Sequence, residues 1–322
     1  MNYPETLAWI HGTERFGSRL GLGRMGRLLH RMGDPHLKVP YIHVAGTNGK
    51  GSTTTMIASA LTAGGFKTGK FISPFILEFR ERMQIDSEMI PEETLAALAT
   101  RLRPIAEEFK AAGDPPTEFE LVTVLGLTWF AEAGCDIAVL EVGLGGRLDA
   151  TNIIPPPLVA VITRIDYDHT AILGDTLAAI AGEKCGILKR GSTVICYPDQ
   201  EEEALAVIRR RAKEEDDPLI LPDRTALSVL SADLTGSRIL YRGQDIFIPL
   251  PGPHQVLNTI TAVEALNALS SSRFALPPSA IAAGIAAARF PARLELLRQS
   301  PPVLVDGAHN PNGRRALCEA LK

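Results

Sequence analysis

The run Gly46-Thr47-Asn48-Gly49-Lys50-Gly51-Ser52 has the residue types that hold a phosphate. Glycines let backbone N–H groups turn inward and approach phosphate oxygens. Lys50 can reach β- and γ-phosphates, and Ser52 or Thr53 can offer a hydroxyl to magnesium. The run follows Tyr41-Ile42-His43-Val44-Ala45, which reads as a buried strand, and precedes a helix expected over Thr53–Ala63. The positive end of that helix adds to the attraction for an anion. A strand, a glycine-rich turn with lysine and then a helix predict a nucleoside triphosphate site, with ATP and magnesium as the expected ligands. The spacing is not that of GxxxxGK followed by Ser or Thr, because Gly49 comes early and Gly51 intervenes between Lys50 and Ser52. A plain glycine turn is the bland alternative. It leaves a lysine in an apolar setting without a partner, which is costly.

Other polar groups fall near the ends of expected strands, where open parallel sheets bind ligands. Ser73-Pro74 follows a strand candidate over Thr68–Ile72. Glu141 closes the apolar run from Ile137 and precedes Gly143-Leu144-Gly145-Gly146-Arg147-Leu148-Asp149. Asp166, Asp168 and His169 follow the strand Leu158–Ile162, and Glu183-Lys184 lies in the helix after them. Taken singly, each has an ordinary reading. Glu141 could cap a helix, His169 could be a satisfied loop histidine, Lys184 a solvated helix lysine, and Asp306-Gly307-Ala308-His309-Asn310-Pro311 a turn with a cap.

The elements that would position these groups alternate. Helices are expected over Pro91–Ala112, Phe119–Ala133, Leu173–Leu188, Glu201–Lys213 and His254–Leu269, with Asn2–Gly12 and Arg24–Gly33 ahead of the first strand. A further strand is expected at Val194–Cys196. Short strands over Ala226–Leu230, Arg238–Tyr241 and Asp245–Leu250, with turns at Thr235-Gly236 and Arg242-Gly243, predict a small antiparallel region. Two more strands, Leu294–Leu297 and Val303–Asp306, precede a helix start after Gly307. The fold class is therefore α/β: a P-loop-type, mostly parallel sheet flanked by helices, with a small antiparallel β subregion.

Composition narrows the function classes. A net charge of -4 gives no electrostatic footprint for nucleic acid. No apolar run reaches membrane-spanning length, and the N-terminus is not that of a signal peptide. Four cysteines are scattered without metal-finger spacing, as in a reduced cytoplasmic protein. Nothing marks an interaction segment, so a monomer acting on small molecules is expected.

Together the motifs resemble the folylpolyglutamate synthase and dihydrofolate synthase family, within the Mur ligase group of ATP-dependent amide-forming enzymes. The matching segments are His43 to Ser52, Ile72 to Phe75 with Glu81-Arg82, Glu141 to Asn152, Asp166 to His169 with Leu173-Gly174, and Ile180 to Ile187. In the C-terminal part they are Gly252 to Gln255 with Asn258, Phe290 to Glu295, and Asp306 to Pro311. The resemblance implies that Lys50 and Ser52 hold phosphates and one magnesium, with Ser73 and Glu141 completing that metal site. His169 would bind a second magnesium, and Lys184 would be the family's carbamylated lysine. Asn258, Arg293 and Asp306 would contact ATP from across a cleft, and Arg82 and His309 would place the incoming glutamate or the folate.

The implied reaction is transfer of the ATP γ-phosphoryl group to a folate or dihydropteroate carboxylate, followed by attack of the L-glutamate amine on the acyl phosphate. A GTPase-like switch, another Mur-type amino-acid ligase and an inactive nucleotide-binding remnant are the competing readings. Against the first stand the short phosphate loop and Asp168-His169. Ser73-Pro74 with Glu81-Arg82, and Gly21 to Gly26 ahead of the loop, favour the folate branch. The resemblance also implies two domains: 1–290 as the ATP-binding central domain, and 291–322 as the beginning of a C-terminal domain. A piece that small cannot bury its own core, so a C-terminally truncated protein with weak ATP binding and poor turnover is expected.

Overall fold

A computed structural model describes residues 1–13, 21–308 and 310–321. The chain opens with α1 (Tyr3–His11) and α2 (Gly23–Arg31). Asn2 caps α1 by accepting from the Glu5 N–H, and the Glu5 carboxylate answers at the Asn2 N–H. β1 (Tyr41–Ala45) then runs into the phosphate loop and α3 (Lys50–Ala63). β2 (Thr68–Phe71), β3 (Met83–Ile85) and β4 (Glu88–Met89) follow, then α4 (Glu92–Ala111), α5 (Glu118–Glu132) and β5 (Ile137–Glu141). Next come β6 (Val159–Ile162), the single turn α6 (Thr170–Leu173), α7 (Leu177–Lys184), β7 (Thr193–Cys196), α8 (Glu202–Glu215) and β8 (Leu219–Ile220).

Among the described residues these strands form one eight-stranded sheet in the order β4-β3-β2-β5-β1-β6-β7-β8. Along that order from β2 to β8 every pairing is parallel, and only β3 runs against the rest, pairing antiparallel with both β2 and β4. Strand order reverses at β1, whose neighbours are β5 and β6. That switch point opens a crevice beyond the carboxyl ends of the strands. Alternation of side chains across each strand divides the apolar residues between two faces. Ile42 and Val44 join Val139 and Val161 in one cluster, while Tyr41 joins Ala138 and Leu140 in another.

Three strands, β9 (Leu227–Asp233), β10 (Gly236–Tyr241) and β11 (Gln244–Ile248), form the antiparallel sheet that the turn residues predicted. It packs with α3, α9 (Pro253–Asn267) and α10 (Pro278–Ala287) on one face of the large sheet. The helices α1, α2, α4 and α5 cover part of the opposite face, and α7 and α8 cover another. The ribbon β12 (Glu295–Gln299) and β13 (Pro302–Val305) leads to α11 (Pro311–Ala320). No helix of the described residues is long and apolar enough to cross a membrane.

Three departures from the sequence expectations have physical reasons. The helix expected over Leu173–Leu188 is split: Gly174 takes φ +101 after α6, and Thr176 starts α7 by accepting from the Ala179 N–H at 3.1 Å. The helix α10 was not anticipated because alanine replaces the polar face that gives an amphipathic period. Its Gly284 lies so near α3 that a Cβ there would sit 2.3 Å from the Cα of Ala60. Finally, α3 begins at Lys50 rather than Thr53, which draws Gly51 into the first turn.

Candidate active site

The phosphate loop gets its shape from two glycines. Gly46 adopts φ +153, and a Cβ there would lie 1.8 Å from Thr163 Oγ1 on the neighbouring strand's exit. Gly49 adopts φ +88 just before α3, and its Cβ would lie 2.4 Å from Asn258 Oδ1. The N–H groups of Thr47 and Asn48 do not turn toward an anion. Both donate to the Arg164 carbonyl, at 2.8 and 3.2 Å. The donors left for a phosphate are the first-turn N–H groups of α3, at Lys50, Gly51 and Ser52, which have no acceptor within the helix. Gly51 is tolerated there, and required, because Phe290 sits 2.6 Å from where its Cβ would be. Lys50 Nζ rests on the Thr47 carbonyl at 3.2 Å.

Around this loop the sheet end gathers charge. Glu141, last in β5, is almost fully buried, and its Oε2 accepts from the Ser73 N–H at 3.0 Å. Burial raises the Glu141 pKa, while Lys50 and the Ser73 hydrogen bond oppose that shift. Ser52 Oγ accepts from Gln255 Nε2 at 3.2 Å. Among the described residues, no three His, Cys, Asp or Glu side chains converge as a ready-made metal cage. A carboxylate, two serine hydroxyls and adjacent room for phosphate are nonetheless hard oxygen donors of the kind magnesium takes alongside nucleotide oxygens, so the residues fit that ion.

Lys184 lies at the end of α7 with 4% of its surface exposed, and its Nζ donates to the Gly46 carbonyl at 2.7 Å. Burial, with Lys50 adding repulsion, pushes its amine down to about 7. His169 is largely exposed in a left-handed conformation, φ 49, where its N–H donates to Asp168 Oδ1 at 2.8 Å.

The far wall of the cleft comes from late in the chain. Asn258 on α9 donates to Gln255 Oε1 at 3.0 Å. The Arg293 guanidinium stacks 4.9 Å over the Phe290 ring. Asp306 accepts from the N–H groups of Leu294 and Ala308, at 2.9 and 2.8 Å. Asn310 caps α11 and donates across the cleft to Asn48 Oδ1 and Asp168 Oδ2, both at 3.0 Å.

A second cavity, of about 320 Å³, shares Ser73, Pro74, Gly143 and Leu144 with the first. Arg82 lines it, its guanidinium lying against the rings of both Phe75 and Phe79 at 5.2 and 5.7 Å. The buried Nε of Arg82 has no hydrogen-bond partner.

Residues 44–266 match the Mur ligase middle domain. The dihydrofolate synthase/folylpolyglutamate synthase of Bacillus subtilis is 39% identical over 99% of this chain and 76% of its own length. The chain belongs to this family of Mur ligases. The apo form of L. casei FPGS superimposes with a TM-score of 0.92 at 39% identity, covering 100% of this chain and 80% of that one. A structure described as an FPGS–AMPPCP–folate complex gives 0.92 at 38% identity, with the same two coverages. As a member of the family, the protein is an ATP-dependent amide-forming ligase.

In this ligase one cleft is lined by Gly46 to Ser52, Ser73, Glu141, His169, Lys184, Asn258, Arg293 and Asp306. Thr53 is not among the lining residues. It is fully buried, its Oγ1 has no partner, and of the two hydroxyls weighed for a cation only that of Ser52 faces the cleft. Arg82 lies at the second cavity. His309 falls outside the described residues. Gln255 and Asn310 were not singled out from sequence as site residues. The signal for Gln255 was its place three residues before Asn258 on one helix face, and that for Asn310 its place before a helix-starting proline.

Proposed function

We propose that this ligase joins L-glutamate to the carboxylate of a folate, with dihydropteroate, tetrahydrofolate or both as acceptor. The observation that carries this reading is the shared wall. A phosphate-binding cleft and a second cavity meet at Ser73-Pro74 and Gly143-Leu144, so a carboxylate entering from one side can meet a γ-phosphate held on the other. A carboxylate is a poor electrophile because its charge is delocalised. Phosphorylation makes an acyl phosphate, the glutamate amine attacks its carbonyl carbon, and inorganic phosphate leaves.

In this reading the first-turn N–H groups of α3 and Lys50 hold the β- and γ-phosphates, where they offset the charge that develops in transfer. Ser52, Ser73 and Glu141 would hold one magnesium, and His169 with a modified Lys184 a second. Magnesium, when bound, neutralises phosphate charge and aligns the transferred group. The case for modification of Lys184 rests on its burial. An amine near neutrality attacks carbon dioxide, loses one proton and becomes a carbamate, and its remaining N–H can still donate to the Gly46 carbonyl. Asn258, Arg293 and Asp306 would contact ATP from the opposite wall. Arg82 and His309 would place the folate or the glutamate.

Residues 1–290 would form the ATP-binding domain, and residues 291–322 would belong to a second one. A monomer in the cytoplasm suits a chain with three buried free cysteines and one exposed one.

The test is ADP release from purified protein with ATP, magnesium, L-glutamate and either dihydropteroate or tetrahydrofolate. Release that depends on the acceptor, and prefers ATP to GTP, is expected and names the acceptor. ATP binding without acceptor-dependent release would overturn the reading for this chain.

A further inference from the structure

His43, Thr151 and Asp149 form a hydrogen-bonded line that the reaction as described does not use. All three are buried, His43 and Thr151 completely. His43 Nε2 lies 2.9 Å from Thr151 Oγ1, and Thr151 Oγ1 in turn bonds Asp149 Oδ1. Asp149 also receives the N–H groups of Leu144 and Thr151, each at 2.9 Å, and that of Gly143. Burial raises the pKa of Asp149, and the hydrogen bonds from Thr151, Leu144 and Gly143 oppose that shift; with donors filling both of its oxygens, Asp149 acts here as an acceptor. The single hydroxyl proton of Thr151 is therefore given to Asp149, and its oxygen must accept from His43. This fixes His43 as the tautomer protonated on Nε2. Burial keeps the ring neutral by pushing it down to about 3, and Nδ1 is left without a partner.

The placement of this line gives it meaning. His43 sits in β1, the strand that delivers the phosphate loop. Asp149 holds the backbone of Gly143 and Leu144, which line both the nucleotide cleft and the second cavity. We propose that His43 and Thr151 are positioning residues: they tie the phosphate-loop strand to the wall shared by the two cavities, and so set where the acceptor carboxylate stands relative to the γ-phosphate. This rests on the second cavity's being the acceptor site.

Thr151→Val keeps the shape and removes both hydrogen bonds, whereas Thr151→Ser keeps both bonds and removes a methyl group. The Val variant is expected to raise the acceptor KM at least about tenfold, or ~1.4 kcal/mol, with ATP binding by calorimetry unchanged within about twofold. The Ser variant is expected to behave as wild type. Equal losses in both variants, or no change in the folded Val variant, would overturn the proposal, and so would a parallel loss of ATP affinity. His43→Gln retains a donor near the Nε2 position, so it is expected to keep most of the wild-type KM. It serves as the second variant should Thr151→Val not fold, and a wild-type KM in a folded His43→Leu protein would then refute the role. Nitrogen-15 spectra of labelled histidine test the line without any turnover. The Nε2–H tautomer of His43 is expected in the wild type, and finding the Nδ1–H form would refute the proposed direction of the bonds. If the wild type shows no folate-dependent turnover but has this tautomer, the functional reading fails while the hydrogen-bonded line stands.

Discussion

Replacing Lys184 by methionine tests whether burial holds this amine near neutrality. An exposed lysine titrates near 10.5, and burial lowers Lys184 to about 7. Between those values the unfolded chain binds a proton that the folded chain does not. Stability from this group therefore rises with pH through that window, and below it the folded state carries the full cost of a buried charge. The slope is about 1.4 kcal/mol per pH unit. From about pH 7.5 to 9.5 the wild type should gain about 2 to 3 kcal/mol relative to Lys184→Met. Lys70 and Lys189, each lowered by burial to about 8, contribute slopes of their own, but both are present in the two proteins and cancel in the difference. The assay is urea unfolding at several pH values in buffers freed of carbon dioxide, with the m-value checked for constancy. Parallel pH profiles for the two proteins would refute the reasoning. Adding bicarbonate is expected to stabilise the wild type and leave the variant unchanged, since only the lysine can form a carbamate.

Gly49→Ala places a Cβ 2.4 Å from Asn258 Oδ1 at φ +88. It is expected to cost about 1–2 kcal/mol in backbone strain alone and to weaken ATP binding by calorimetry at least about tenfold. Arg24 is buried between Glu120, with Nε 2.9 Å from Oε2, and Asp114, with Nη1 2.6 Å from Oδ1. Arg24→Met strands the buried Glu120 carboxylate and is expected to lower unfolding stability by about 3–5 kcal/mol, with part recovered by adding Glu120→Gln. Arg293→Lys keeps the charge and loses the planar stack on Phe290. It is expected to weaken ATP binding by calorimetry about tenfold, as for the loss of one charge-assisted contact to the nucleotide.

The chain's punctuation was local and therefore readable. Short apolar runs set β1, β5 and β6 within a residue of their bounds, and Thr235-Gly236 and Arg242-Gly243 marked the hairpin turns of β9 to β11. Where a contact distant in sequence decided the outcome, the reading fell short. The helix expected from Thr53 starts at Lys50, and Gly51 in its first turn leaves the space that Phe290, far along the chain, occupies. The short strands β3, β4 and β8 depend on neighbours more than on their own few residues. A helix of alanines such as α10 has no polar face to reveal its period.

The sequence by itself determined the order of elements, the glycine-rich phosphate loop and the residue types available at each strand end, because these follow from short-range sterics and periodicity. Tertiary structure decided which of them meet. It turned the Thr47 and Asn48 N–H groups away to Arg164, left the phosphate to the first turn of α3, and brought Asn258, Arg293 and Asp306 opposite that turn. It also buried Lys184 against Gly46 and joined His43 in β1 to Thr151 in the helical turn Ala150–Ile153. Charge state and hydrogen-bond direction depend on burial and on partners many residues away, and only folding fixes those.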